Sequence, residues 1–261
     1  MKINKLLCLI GLGIFALSVP AQKTLDKPYH KWSKDEAFKM ISNLPFADQY
    51  QSTDAVNAVS TQANAADQAD NRFEGRERGR GSGRYLAPTP VVVRLHSALP
   101  VRQAIVRLQE ISAGYDKMNE ADQKKFDASV AGFLECAVCK GYYVVTMFKF
   151  KNSAMGVVDD GLFQTSKLEE FQNRVWLEND KGEKRMIEQF SPAKGPGDTA
   201  ILFFKRQDEK GNVLITPDTK EFRIVFNNEF RSSKTNQYAF LMPSAFEFKV
   251  SKIMIGDQVA F

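Results

Sequence analysis

Hydrophobic and polar residues follow two different periods along this chain. Between residues 100 and 137, apolar residues recur at every third or fourth position, which is the spacing of a helix with one buried face. After Gly141 they come in short runs or at every second position, as in β-strands. The pattern therefore predicts helices followed by a sheet.

Helices are predicted over three stretches. The first covers residues 32–41 and has a capping box near its start, Ser33 with a glutamate three positions later. The second covers residues 100–115 and opens with a proline in its first turn. The third follows Asn119, a favourable N-cap, and is expected to end at Lys140. Because the join between the last two is short, we expect an antiparallel helix pair.

Strand-like patterns make up most of the rest of the chain. The predicted strands cover residues 91–95, 142–147, 174–178, 185–190, 200–206, 212–215, 221–226 and 246–253. Short turns such as residues 179–182 join successive strands, which indicates antiparallel pairing. The expected fold class is α+β, a mostly antiparallel sheet or sandwich with the helix pair inserted after the first strand, residues 91–95.

The same pattern divides the chain into four parts. Residues 1–21 form a leader, residues 22–48 a short N-terminal helical segment, and residues 87–261 the α+β domain. Residues 49–86 are polar and then rich in arginine and glycine. Since such a stretch buries too little apolar surface to offset the entropy of ordering it, we predict a flexible linker there.

The leader has the features of a secretory signal peptide. Lys2 and Lys5 precede an apolar run over residues 6–19, and small residues then lead to an expected cleavage after Ala21. At 1.5 Å per residue the run spans about 21 Å, short of a hydrocarbon core of about 30 Å. Cys8 lacks the preceding small residues of a lipidation site. We therefore expect a secreted or periplasmic protein with no membrane span after signal removal.

Composition and charge exclude only a few classes of protein. The 261 residues are 43% hydrophobic and 26% charged, which is typical of a soluble globular protein and excludes collagen, a coiled coil and a polytopic membrane protein. The formal net charge of +5 falls to about +3 once the two leader lysines are removed. That balance indicates no particular partner.

Cys136 and Cys139 form a C-x-x-C motif, the most conspicuous chemical feature of the chain. A reactive thiolate needs the positive, N-terminal end of a helix, whereas this pair is predicted in a last helical turn. Zinc would need further ligands, and neither His30 nor His96 is close in sequence. A local disulfide or two packed thiols is the favoured interpretation, with no metal and no cofactor. A redox role for the pair remains open.

His96 and Ser97 directly follow a predicted strand, a position where catalytic residues often lie. Adjacent residues of an extended segment point in opposite directions, which is poor geometry for proton transfer between them. A dyad of His96 with Cys136 is a further candidate without any specific motif. We expect a surface or helix-entry role for His96.

Two other motifs have a simpler interpretation. Residues 72–84 carry an arginine–glycine pattern found in nucleic-acid-binding segments, but an exported protein seldom meets nucleic acid, so we expect none as partner. Residues 159–161, Asp-Asp-Gly, lack the spaced ligands of a calcium loop and are expected to form a turn.

Several blocks of the chain resemble a family of uncharacterised exported bacterial proteins. The blocks are KWSKDEA at 31–37, NLPFA at 43–47, VVRLHSALPVRQA at 92–104, FFKR at 203–206, ITPD at 215–218 and FKVSKIM at 248–254. That family has no assigned activity, and the Cys136–Cys139 pair is not part of its pattern. The resemblance implies export and this architecture, and it carries over no functional residue.

The sequence therefore favours an exported, non-catalytic protein. Its expected role is that of a binding or envelope-associated module, whose partner is an unidentified protein or envelope component. The alternative is an extracytoplasmic thiol-dependent redox enzyme that uses Cys136 and Cys139.

Overall fold

A computed structural model describes residues 24–50, 91–149, 164–195, 198–231, 233 and 243–261. The described helices are α1 (Lys34–Ser42), α2 (Leu99–Ala113), α3 (Glu120–Glu135) and α4 (Leu168–Phe171). The described strands are β1 (Ala47–Tyr50), β2 (Val91–Leu95), β3 (Tyr142–Lys149), β4 (Val175–Asn179), β5 (Lys184–Ser191), β6 (Ala200–Lys205), β7 (Glu221–Phe226), β8 (Ala245–Lys249), β9 (Met254–Ile255) and β10 (Gln258–Val259). The predicted leader, most of the predicted linker and the predicted turn at 159–161 lie outside the described residues.

The first eight strands belong to one sheet in the order β1-β2-β3-β6-β5-β4-β7-β8, and every neighbouring pair is antiparallel. The sheet is nearly barrel-like. The predicted α+β class with a mostly antiparallel sheet and a helix pair is thus confirmed, and strands β1 to β8 form a single continuous sheet. The short strands β9 and β10 pair separately.

The core lies on one face of this sheet because side chains alternate between faces along each strand. In β7 and β8 the charged positions are exposed, as the alternation predicts, and the positions between them are buried, namely Phe222, Ile224, Phe246 and Phe248. The same cluster continues across the sheet to β2, β3 and β6. We call this side the core face. The opposite side, the outer face, carries Arg94 of β2, Thr146 of β3 and Ile201 of β6 in one cross-strand row.

The N-terminal segment packs onto the same core. Ser33 and Glu36 form the predicted capping box of α1, with each backbone N–H donating to the other side chain at 3.1 and 2.8 Å. Trp32, Ala37 and Met40 are almost fully buried in the common cluster. This segment is therefore an integral part of the folded unit.

The predicted start of the linker at residue 49 is wrong. Gln49 and Tyr50 are the last residues of β1, where they pair with Val92 and Val91 of β2. The strand was missed because it is short and polar, and only its pairing with an apolar neighbouring strand satisfies its backbone groups.

The helix pair follows residues 91–95 as predicted, although that strand is second because β1 precedes it. Asn119 caps α3 by accepting a hydrogen bond from the backbone N–H of Asp122 at 2.9 Å. The predicted end of α3 at Lys140 is wrong. The helix ends at Glu135, because Cys136 takes a left-handed conformation with φ 48° and a 3₁₀ turn follows.

Two strand predictions also need correction. Residues 212–215 form only a single bridge, Gln207 to Val213, because β6 is already paired on both edges and offers no place for another strand. The predicted strand 246–253 ends at Lys249, where a 3₁₀ turn over Val250–Lys252 begins.

Candidate functional site

Cys136 and Cys139 are joined by a disulfide inside the protein. Their side chains are 8% and 5% exposed. They pack against Val144 on the outer face of β3, with Tyr142 and Phe203 beside it. Exchange with an external thiol requires access to a sulfur atom, which this packing restricts.

The predicted position of the pair in the last turn of a helix is wrong. Cys136 is the residue that ends α3, and Cys139 lies in the following 3₁₀ turn, Ala137–Lys140. The Nη1 of Arg102 in α2 lies 3.6 Å from the Sγ of Cys139. Lys140 pairs with Glu135 on the surface.

Arg102 joins three segments beside the disulfide. Its side chain is 5% exposed. Nε donates to the carbonyl of Leu134 in the last turn of α3 at 3.0 Å, and Nη1 donates to the carbonyls of His96 and Ser97 at 3.1 and 2.6 Å. Burial, and then the charge of Arg206, lowers the pKa of Arg102. Sequence reasoning missed this residue because only the register of α2 against α3 makes it internal.

His96 lies at the end of β2, where its ring meets the ring of Phe133 edge-on with centroids 5.4 Å apart. Burial, and then the charges of Arg102 and Arg94, lower the pKa of His96 to about 4, so the imidazole is neutral at neutral pH. Within the described residues the ring forms no hydrogen bond, whether to Ser97 or to a sulfur atom. The structure therefore does not bring the predicted dyad together.

An open groove of about 510 Å³ lies between the outer face and the helix pair, and His96 is part of its lining. Its floor is the cross-strand row of Arg94, Thr146 and Ile201. The volume is within the range of about 300–1,000 Å³ usual for small-molecule sites. The apolar walls are Ile41 at the end of α1, Ile105 and Leu108 of α2, and Phe133 of α3.

Arg94 gives the groove an unbalanced positive charge. Its Nε donates to the carbonyl of Ile41 at 2.7 Å, and the guanidinium lies 4.4 Å from the ring centre of Phe148. Burial lowers the pKa of Arg94 to about 10, which still leaves it charged at neutral pH. No described carboxylate forms an ion pair with it, and no acidic side chain is among the described residues that line the groove.

Thr146, next to Arg94 across the strands, has a hydroxyl with no partner among the described residues. The residue is 5% exposed, and its Oγ1 is buried. Such groups are uncommon in native proteins, and each costs roughly 1–3 kcal/mol. Sequence reasoning missed Arg94 and Thr146 because they are 52 residues apart and meet only through the register of β2 with β3.

A second cluster of charged side chains lies where the N-terminal segment meets α2. Glu110 is fully buried, with His30 Nδ1 2.6 Å from its Oε1 and Arg107 Nη1 3.0 Å from its Oε2. The approach of His30 is close but not aligned as a hydrogen bond. Arg107 also pairs with Asp116 at 3.0 Å. These groups are engaged with one another, which indicates a structural role.

Comparison with known proteins gives no match, whether to a family model, a curated protein or a solved structure. Among the described residues, no three His, Cys, Asp or Glu side chains are grouped so that they could hold a metal ion. In the same part of the chain, no helix combines the length and apolarity needed to cross a membrane. The groove is thus the strongest candidate site that the geometry offers.

Proposed function

We propose that this protein is an exported, non-catalytic binding module and that the groove holds a small molecule with an apolar body. One observation carries the proposal: a cavity of about 510 Å³ with apolar walls, whose floor holds a charge and a hydroxyl that have no partner in the part of the chain that the structure describes. An apolar pocket with a few convergent polar groups is the usual form of a small-molecule site.

The groups that suggested chemistry support binding more than catalysis. Cys136 and Cys139 are bonded to each other and buried against the sheet. His96 is held neutral and has no described group to activate. A nucleophile needs a base within hydrogen-bond reach. No observation favours the thiol-dependent redox enzyme that the C-x-x-C motif suggested.

Export is the part of the proposal that rests on the sequence. The basic start, the apolar run and the small residues before Ala21 support secretion or delivery to a periplasm. The disulfide agrees with an oxidising compartment, where such bonds persist. In that setting an envelope component is a natural ligand. Mass analysis of the secreted protein tests this part, since cleavage after Ala21 leaves Gln22 as the first residue.

Titration with the neutral fluorophore N-phenyl-1-naphthylamine tests binding in the groove. The dye should bind the wild-type protein with increased fluorescence, because it moves from water into an apolar cavity. Ser112→Trp places a bulky ring on the exposed lining of the groove and should abolish the increase. Ser129→Trp, on an exposed part of α3 that does not line the groove, is the matched control and should bind as wild type does. Equal fluorescence with both variants would show that the dye binds elsewhere.

A further inference from the structure

We infer that the ligand of the groove is a single-chain amphiphile with an oxyanion head group, bound by Arg94 and Thr146. The inference rests on the proposed function and specifies the ligand of that same site. It concerns the chemistry of the head group, a carboxylate or a phosphate, and one apolar chain along the groove.

Arg94 presents the part of its side chain that recognises an oxyanion. Its Nε is occupied by the carbonyl of Ile41 and its face by the ring of Phe148, so the position of the guanidinium is fixed. Neither Nη donates to an acceptor in the described part of the chain. A guanidinium fork matches the geometry of a carboxylate or phosphate, and charge-assisted bonds of this kind are the strong ones.

Thr146 supplies a second donor at the same place. Arg94 and Thr146 are directly paired in the register of β2 with β3, on the same face. Paired residues of an antiparallel ladder have Cβ atoms about 4.5–5.5 Å apart, close enough for one head group to contact both side chains. The buried Oγ1 has no hydrogen-bond partner within the described ranges, and a hydroxyl hydrogen bond to an oxyanion would supply one.

The walls and the charge of the groove together determine the chemical class of the ligand. The walls formed by Ile105, Leu108 and Phe133 favour an aliphatic chain, whose burial removes apolar surface from water. A cationic ligand would meet the charge of Arg94 with no carboxylate to balance it in the described lining. A purely apolar ligand would further desolvate that charge without pairing it. An acidic amphiphile satisfies both parts of the site.

Displacement of N-phenyl-1-naphthylamine by three ligands of equal chain length tests the inference. Dodecanoate, dodecyl phosphate and dodecanol are compared at pH 7.5, the two acids below their critical micelle concentrations and the alcohol below its solubility limit. We expect the two acids to displace the dye about 10- to 100-fold more effectively than the alcohol, since a charge-assisted pair in a desolvated site has that effect on affinity. The relative strength of the two acids distinguishes a carboxylate ligand from a phosphate ligand.

Two variants test the residues. Arg94→Met removes the charge and keeps an unbranched side chain. This variant should lose the preference for the two acids over dodecanol, while its affinity for dodecanol stays unchanged. Thr146→Val removes the unpaired hydroxyl at constant shape, so it should fold at least as well as wild type and lose a smaller part of the preference. Arg223→Met, whose arginine pairs with Glu178 away from the groove, is the control and should retain it.

The outcomes separate the inference from the proposed function. If the dye binds in the groove but acids and alcohol compete equally, or if Arg94→Met and Thr146→Val both keep the preference for acids, the oxyanion inference is refuted and the groove remains a binding site. If neither the dye nor any of the three ligands binds, both proposals are refuted. A groove that is filled by another segment of the chain would give this result. Preference for acids that is lost in Arg94→Met and retained in Arg223→Met would support both.

Discussion

Removing the buried charge of Glu110 should destabilise the protein far more than removing the exposed charge of Asp116. Both carboxylates contact Arg107, at 3.0 Å in each case, but the Glu110 side chain is 0% exposed and that of Asp116 is 62% exposed. Glu110→Gln and Asp116→Asn keep shape and size. The comparison therefore tests how burial changes the value of two partners of one cation, with the contact of Glu110 to His30 as the one further difference.

The expected magnitudes follow from that difference. Breaking a buried ion pair by neutralising one partner costs about 3–5 kcal/mol. Arg107 keeps Asp116 and the carbonyl of Trp32 in the Glu110→Gln variant, so we expect the lower value, about 3 kcal/mol. An exposed pair contributes at most about 1 kcal/mol, which sets the limit for Asp116→Asn. Since a domain has roughly 5–15 kcal/mol of stability in total, both variants should still fold.

Urea unfolding followed by the fluorescence of Trp32 measures the two losses. Trp32 is 1% exposed and its indole N–H donates to the carbonyl of Lys27, so its emission reports the docking of the N-terminal segment. Trp176→Phe removes the other of the two tryptophans and is the background for both variants. Equal losses from Glu110→Gln and Asp116→Asn, or a loss below about 1 kcal/mol for Glu110→Gln, would refute the role assigned to this cluster.

Two further predictions concern the disulfide and His96. Reduction of the Cys136–Cys139 bond should lower the free energy of unfolding by only about 2 kcal/mol, because the bond closes a very short loop; a loss above about 4 kcal/mol in urea titrations with and without a reductant would contradict this. His96 should make folding pH-dependent: its pKa is about 4 in the folded protein and near 6.5 when unfolded, so between these values only the unfolded state takes up the proton. Stability should therefore be unaffected above about pH 6.5 and fall by up to about 3 kcal/mol toward pH 4. Comparison with His96→Gln isolates this effect, and equal acid sensitivity of the two proteins would show that His96 is not desolvated.

Local patterns in the sequence are sufficient to predict most of the helices and strands. The period of apolar residues depends only on neighbours along the chain, so it predicts α1 to α3 and the strands β2 to β8. The wrong strand predictions concern segments whose conformation depends on a partner far away in the sequence. β1 exists because β2 lies beside it, and residues 212–215 are not a strand because β3 and β5 already occupy both edges of β6.

The candidate site was far less accessible to sequence reasoning. His96 was identified, but as an isolated residue beside Ser97, because its surroundings come from α3 and β3. Arg94 is a single charged position within the apolar strand β2, and no local pattern marks it. Its significance depends on Thr146, which the register of β2 and β3 brings next to it, and on the absence of a carboxylate among the described residues of the groove. Such features appear only when strands far apart in sequence are paired.

Chemical-shift mapping with dodecanoate tests the central claim most directly, because it locates the ligand without relying on affinity. In protein labelled at backbone amides, arginine Nε–H groups and methyl groups, dodecanoate should shift the Nε–H of Arg94 and the methyl groups of Thr146, Ile105 and Leu108, and dodecanol should shift the wall methyls while leaving the Arg94 signal nearly unchanged. Shifts by dodecanoate that are confined to other surfaces, or an Arg94 signal that does not respond at saturation, would contradict the account.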